Sequence, residues 1–274
     1  MPPSGVMAAS LASLPMYLAQ RPAVAALWGC LRQALTDTGF ERLPTELSWP
    51  QDHHAHWLSP NLLLSQACGY PLTHALAGEV QLVGCFAYGA PQCEGIDCRS
   101  VLVARSEHAH LALDGFRGLR VAFNAPDSQS GYNALRALVA PLAQGGRFFA
   151  SAMPTGSHSA SVAAVQAGVA DLAAIDCVTY AALQRHTPQA TRGVRVVGTS
   201  EAYPGLPLVT SRATSATELE LLQRALRSVL QSVQAAPALE ALDIAGFETP
   251  DIGVYQRSVA MRQSAEALAY PALA

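Results

Sequence analysis

The sequence predicts an α/β protein, one large domain or two lobes, in which mostly parallel sheets are flanked by helices. Three observations predict it. Half of the 274 residues are hydrophobic and only 14% are charged, enough apolar material for a sizeable core and too little charge for a disordered chain. Short apolar runs ending in small or polar residues recur, as buried strands do. Segments of helical periodicity lie between them, and that alternation calls for parallel strands joined by right-handed crossovers.

In chain order, a helix over 23–35 aligns Val24, Leu27, Leu31 and Leu35 on one stripe. Strands follow at 62–65, 80–86, 101–104 and 119–124. A helix over 131–142 carries Leu135, Leu138, Val139 and Leu142 on one face, and another runs to Ala167, where Gly168 signals its end. Strands at 171–176, 194–199 and 206–210 complete the series. Beyond them, 216–231 and 250–268 read as a helical cover with no further strand. There is no internal repeat or Gly/Ser linker, and no run approaches the roughly 20 apolar residues that span a bilayer. The N-terminal 17 residues, interrupted by Pro2, Pro3, Ser4, Gly5 and Ser10, show neither the basic nor the apolar region of a secretory signal. On that evidence the protein is cytoplasmic, or is exported by a leader that these residues do not display.

Composition excludes several functions. A formal charge of −3 lacks the basic footprint of a nucleic-acid binder. All 17 Lys+Arg residues are Arg, so a Schiff-base lysine and a P-loop lysine are ruled out, and no cofactor is expected. The six cysteines, at 30, 68, 85, 93, 98 and 177, show no paired CxxC spacing, which makes a structural zinc site improbable. Cys30 and Cys177 read as small buried hydrophobes. Trp28, Trp49 and Trp57 read as packing residues. The cluster Asp52-His53-His54-Ala55-His56 lies between Pro50 and Pro60 and reads as a solvated loop rather than a metal site.

In open parallel sheets the ligand lies outside the carboxyl ends of the strands, and there this chain is polar and small. Gln66-Ala67-Cys68-Gly69-Tyr70 follows one strand, Ser128-Gln129-Ser130-Gly131 follows another, and Thr155-Gly156-Ser157-His158 opens a helix. The second segment, with Ser130 as its N-cap, aims free backbone N–H groups and hydroxyls at one spot before the positive end of a helix dipole. The third repeats the arrangement, so two helix starts can face one anion. A helix terminus contributes about 0.3–1 kcal/mol and micromolar binding needs about 8. Roughly three to five charge-assisted hydrogen bonds of about 1.5–3 kcal/mol each must therefore be added. The two serine clusters are numerous enough to supply them. Taken singly, each is an ordinary helix cap; their combination carries the inference.

At these residues the chain resembles the substrate-binding proteins of phosphonate, phosphite and phosphate ABC importers, the PhnD-like family. The likeness runs through Arg99-Ser100-Val101-Leu102-Val103, Leu113-Asp114-Gly115-Phe116-Arg117-Gly118-Leu119, the Ser128–Tyr132 turn, and Gly156-Ser157-His158-Ser159-Ala160-Ser161 followed by Gly168-Val169-Ala170-Asp171. It implies a two-lobed type II periplasmic-binding-protein fold. Lobe one would comprise 1–104 and 205–274 and lobe two 105–204, with crossing strands at 101–104 and 206–210 that allow hinge closure. It implies that Ser128, Ser130 and Gly131 hold the anion's oxygens, that His158 adds a donor, and that Asp176 closes the far side of the cleft. Tyr17 and Tyr70 would form an aromatic wall, and Gln66, Gln129 and Ser157 complete the candidate set. Gln129 stands where the family has Thr, Ser159 where it has an acid, and Cys98 where a Tyr is expected. The implied partners are a small anionic ligand and an ABC permease or a sensor protein, in the periplasm. Export would also favour a Cys68–Cys93 disulfide. The competing reading is an enzyme on the same scaffold, using His158, Asp176, Cys68 and Tyr70 as base or nucleophile.

Overall fold

The computed structural model describes residues 10–14, 20–41 and 43–274. Along the chain come β1 (Leu11–Ser13), α1 (Arg21–Asp37), α2 (His53–Trp57), β2 (Leu62–Gln66), α3 (Gly69–Leu72), β3 (Val80–Tyr88), β4 (Asp97–Cys98), β5 (Ser100–Arg105) and β6 (Arg120–Phe123). A π-turn, Gln129–Asn133, leads into α4 (Ala134–Val139), followed by β7 (Ser151–Pro154), α5 (His158–Gln166), β8 (Leu172–Asp176), α6 (Cys177–His186), β9 (Val194–Thr199) and β10 (Tyr203–Pro204). The last elements are β11 (Pro207–Ser211), α7 (Ala216–Val229), α8 (Ala236–Ala241), β12 (Ile244–Glu248) and α9 (Gln256–Ala267).

These elements form two compact units. The first takes the described residues up to Ala67, Ala75–Phe86 and Leu206–Pro250. Its five-stranded sheet has the order β1-β2-β11-β3-β12, parallel between β1 and β2 and antiparallel where β11 meets β2 and β3. In α1 the proline at the first turn costs no hydrogen bond, and Val24, Leu27, Trp28, Leu31 and Leu35 are its buried stripe. A reciprocal Ser215–Glu218 capping box starts α7, which buries Leu222, Ala225, Leu226 and Val229.

The second unit comprises Cys68–His74, Ala87–Gly205 and Asp251–Ala274. Its sheet has the order β7-β6-β8-β5-β9. β6 runs parallel to β7 and β8, and β5 antiparallel to β8 and β9. Phe116, Val121, Leu135, Val139, Phe148, Leu172 and Tyr270 lie in one core, each such side chain contributing about 1.5–3 kcal/mol by leaving water. The consequence for function is directional. β7, β6 and β8 end at the same edge of the sheet, and the antiparallel β5 begins there, with Ser100 opposite Asp176.

Several expectations change. Like-directed strands predominate in both sheets, as expected, but each also holds one strand, β11 or β5, that enters against its neighbours. The tail is not wholly helical, since Ile244–Glu248 adds an edge strand beside β3. The boundaries also differ from the expected lobes: Ser100–Arg105 is an interior strand of the second sheet, and Asp251–Ala274 groups with the second unit. There Arg136 donates to the Pro271 carbonyl and Tyr270 Oη to that of Ala274. The histidine cluster forms a short helix, not a loop. Asp52 caps it by accepting from the Ala55 amide at 2.9 Å, and His56 is buried with Nε2 2.8 Å from Ser13 Oγ. The rings of His53 and His54 lie against Trp57.

Candidate functional site

Three helices start at the shared edge of the second sheet. After β6 the chain turns through Asn124–Asp127 into the π-turn, after β7 it passes Thr155-Gly156-Ser157 into α5, and after β8 it enters α6 directly. A helix start leaves backbone N–H groups without intrahelical partners and places partial positive charge there. In this unit three such starts converge at the carboxyl ends of adjacent parallel strands, the position at which open α/β sheets bind ligands.

The cap of the first start is Ser128, not Ser130: Ser128 Oγ accepts the Gly131 amide at 3.0 Å. The π-turn widens the backbone and leaves Ser130 inside it, a distortion that recurs at functional sites. Ser130 Oγ lies 2.8 Å from His158 Nε2 and 3.5 Å from Ser128 Oγ, so one hydroxyl joins the two helix starts. Gly131 is required by proximity. A Cβ there would overlap Asn124 Oδ1 and come within 3.2 Å of His158 Cε1. Gln129 is held from both sides, its amide donating to Cys68 Sγ at 3.3 Å and its Oε1 accepting from Asn133 Nδ2 at 2.9 Å.

His158 and Asp176 are both driven towards neutrality. Burial pushes the His158 ring down to about 4, against a smaller opposing pull from the Ala174 carbonyl, so it carries one proton at neutral pH. Its Nδ1 is buried and short of full hydrogen-bond geometry, the Ala174 carbonyl being the group that acts on the ring besides Ser130. Asp176 caps α6 by accepting from the Thr179 amide at 2.7 Å. Burial first, then the neighbouring Cys177, push its carboxyl up to about 7. Ser100 connects this aspartate to the serine turn. It faces Asp176 across the β5–β8 ladder, its Oγ donates to the Ser130 carbonyl at 2.8 Å, and the same Oγ lies 2.9 Å from Tyr203 Oη.

The second unit therefore gathers Ser128, Gln129, Ser130, Gly131, Ser157, His158 and Asp176 at one edge. Ser157 is exposed there, its Oγ accepting the Ala160 amide at 3.1 Å as the cap of α5. Tyr70, expected after a lobe-one strand, lies in α3 of the second unit and stacks on His74 at 4.1 Å. Gln66 ends β2 in the first unit, where its carbonyl accepts from Trp57 Nε1 at 3.1 Å. Tyr17 lies outside the described residues. The expected Cys68–Cys93 disulfide is not formed: Cys68 Sγ faces the Gln129 amide, whereas Cys93 Sγ lies 3.5 Å from Cys98 Sγ and 3.4 Å from Cys177 Sγ. Cys177 is thus a member of a sulfur cluster rather than an isolated apolar filler. Sequence reasoning also passed over Ser100, Asn124 and Tyr203 as site residues. For Asn124 a signal existed, since it ends a predicted strand on the edge that carries the serines, whereas Ser100 precedes its strand and reaches that edge only because β5 runs antiparallel to β8. Tyr203 lies between strands and gave none.

As a chemical environment, this edge offers hydroxyls, amide N–H groups, a neutral imidazole and a carboxyl that ionises late. It suits a small oxyanion held by hydrogen bonds rather than by a cationic side chain.

A model of the family described as "ABC transporter, phosphonate, periplasmic substrate-binding protein" matches residues 64–255. Among solved structures, PhnD1 from Prochlorococcus marinus in complex with methylphosphonate is 14% identical, with a TM-score of 0.74 over 94% of this chain and 98% of that one. A binding protein component of an ABC phosphonate transporter from Pseudomonas aeruginosa is 16% identical, with a TM-score of 0.72 over 95% and 87%. XAC2383 from Xanthomonas citri bound to ATP is 16% identical, with a TM-score of 0.71 over 95% and 97%. At these identities the likeness shows a common fold. No curated protein matches the chain.

Proposed function

Because the chain belongs to the family of phosphonate-type periplasmic substrate-binding proteins of ABC transporters, we propose that it captures a small phosphorus oxyanion of the phosphonate, phosphite or phosphate class at the serine edge of its second unit. The reading extends to delivery of that anion to an ABC permease or a sensor protein in the periplasm. Among the described residues, no helix is long and apolar enough to cross a membrane.

One observation carries the reading: the 2.8 Å approach of Ser130 Oγ to His158 Nε2 joins two helix starts into one donor set. Ser130 and His158 share this one hydrogen bond, and an anion selects the tautomer with the proton on Nε2, in which the serine hydrogen is left to point at it. Gly131 lets Asn124 and His158 pack close to the turn that carries this serine. Three to five such hydrogen bonds, at about 1.5–3 kcal/mol each, reach the range of micromolar affinity.

A Ser–His contact of 2.8 Å also invites a nucleophile–base reading. Two features favour binding instead. A ring pushed down to about 4 is a weak base at neutral pH, and no carboxylate orients the buried Nδ1, as the third member of a triad would. The test is calorimetric titration with methylphosphonate, phosphite, phosphate, aminoethylphosphonate, sulfate and small carboxylates, each reaction mixture also being assayed for product. Saturable binding of a phosphorus oxyanion without turnover is expected. Product formation would move the protein to the enzyme class, and preference for a carboxylate would overturn the ligand class.

A further inference from the structure

Three thiols that the anion reading leaves unused meet beside the serine edge. Cys93 and Cys177, 84 residues apart, bring their sulfurs to 3.4 Å, and Cys93 Sγ lies 3.5 Å from Cys98 Sγ. All three sulfur atoms fall within 4.8 Å of one another. Local structure explains the meeting. The turn that ends in Cys93 is closed by its amide donating to the Ala90 carbonyl at 3.1 Å. Cys98 is pinned by the antiparallel pairing of β4 with β10. Cys177 is the first residue of α6, immediately after its cap Asp176. Cys98 and Cys177 are buried and Cys93 is half-buried, so the cluster has a closed floor and one accessible member.

A single buried cysteine packs as a small hydrophobe. Three that converge from a turn, a strand and a helix start form a donor set. It consists of sulfur alone, a soft environment that disfavours oxygen-seeking Mg²⁺ and Ca²⁺. Structural zinc sites close with four protein donors, and among the described residues the group of ligand atoms stops at these three. We propose that Cys93, Cys98 and Cys177 form a three-sulfur site for a soft, thiophilic metal ion, with Cu(I) as its cognate class.

The geometry needs little adjustment. A metal about 2.3 Å from each sulfur separates them by about 3.8–4.0 Å, so the contacts of 3.4 and 3.5 Å have to open by about half an ångström, within reach of side-chain rotation at Cys93. Each thiol that binds releases its proton to solvent, and no oxidation or reduction is involved. The bound ion ties the Cys93 turn and β4 to the first turn of α6. The inference stands independently of the anion reading, because none of the three sulfurs belongs to the proposed oxyanion donors.

The test uses the full chain, reduced and kept anaerobic, titrated with Cu(I) in competition with a chromophoric Cu(I) chelator. One equivalent is expected to bind to the wild type and to Cys68→Ser. Affinity should fall at least a hundredfold in Cys93→Ser and in Cys177→Ser. X-ray absorption of the Cu(I)-loaded wild type should show a first shell of three sulfurs, which keeps the proposal testable if Cys177→Ser does not fold. Absence of binding by the reduced wild type, retention of binding in Cys93→Ser, or a shell dominated by nitrogen and oxygen would overturn it.

Discussion

Gly131→Ala separates the needs of the fold from the needs of the ligand. Gly131 sits inside the π-turn and its φ is not among the positive ones, so alanine meets no backbone strain and gains about 1 kcal/mol of helical preference. Against this, the new methyl overlaps Asn124 Oδ1 and stands 3.2 Å from His158 Cε1. The asparagine amide can rotate away, and overpacking of this kind costs about 1–3 kcal/mol. The net loss of stability is then about 0–2 kcal/mol, which in a chain of this size lowers Tm by about 0–8 °C. Binding should suffer more, since the methyl crowds the His158 ring and pushes it off Ser130. Loss of one charge-assisted hydrogen bond raises Kd by about ten- to a hundredfold, and loss of two by more. Calorimetric titration with methylphosphonate reads the affinity, and a thermal melt of the same sample reads the stability. Adding Asn124→Ala to Gly131→Ala should restore Tm without restoring affinity. Wild-type affinity in Gly131→Ala would refute the reasoning, because binding would then not depend on the Ser130–His158 contact that the methyl disturbs.

Other consequences follow from the same geometry. Ser130→Ala removes the hydroxyl shared with His158 and should weaken methylphosphonate binding by about ten- to a hundredfold, measured by calorimetry. Asp176 has a folded-state carboxyl raised to about 7, against about 4 when unfolded. Between those values the folded state holds the extra proton, so stability falls as pH rises from about 4 to about 7 and levels off above; the total is on the order of 4 kcal/mol. Asp176→Asn, which keeps an N-cap, should flatten that dependence in denaturant titrations. An anion beside an ionised Asp176 is also repelled, so affinity for sulfate, which does not titrate in this range, should drop above pH 7 in the wild type and stay level in Asp176→Asn. Asp171 behaves in the opposite sense. Hydrogen bonds from Arg120 hold its carboxyl down to about 2, so its contribution, reduced to about 1 kcal/mol by solvent around the half-exposed Arg120, is present above pH 4 and lost as pH falls towards 2. Asp171→Asn should remove that acid-limb loss.

Much of the fold was legible because its strands are short apolar runs with polar ends. The runs at 62–65, 80–86, 171–176 and 194–199 all became strands, with shifts of a residue or two. What was illegible has physical causes. Ser151–Pro154 is half exposed, so it lacks the apolar run that reveals a buried strand, and Ile244–Glu248 is an edge strand with only Ile244 buried. Strand direction depends on pairing across the sheet, which no local pattern encodes. The Ser128–Gly131 and Thr155–His158 segments were readable as helix starts because serine and glycine before an apolar stripe have that local meaning. Which serine caps was not readable: the π-turn moved the cap to Ser128 and turned Ser130 inward. The sulfur cluster was hidden by spacing, because contact between Cys93 and Cys177 arises only when β8 is inserted beside β5.

The central claim, that two serine-bearing helix starts of the second unit hold one anion, is tested most directly by amide NMR during a methylphosphonate titration. The amides of Gln129–Tyr132 and of His158–Ala160 should shift together and saturate at one common Kd, with Cys177–Thr179 following weakly. Saturable binding that leaves the first two groups unmoved would contradict the account.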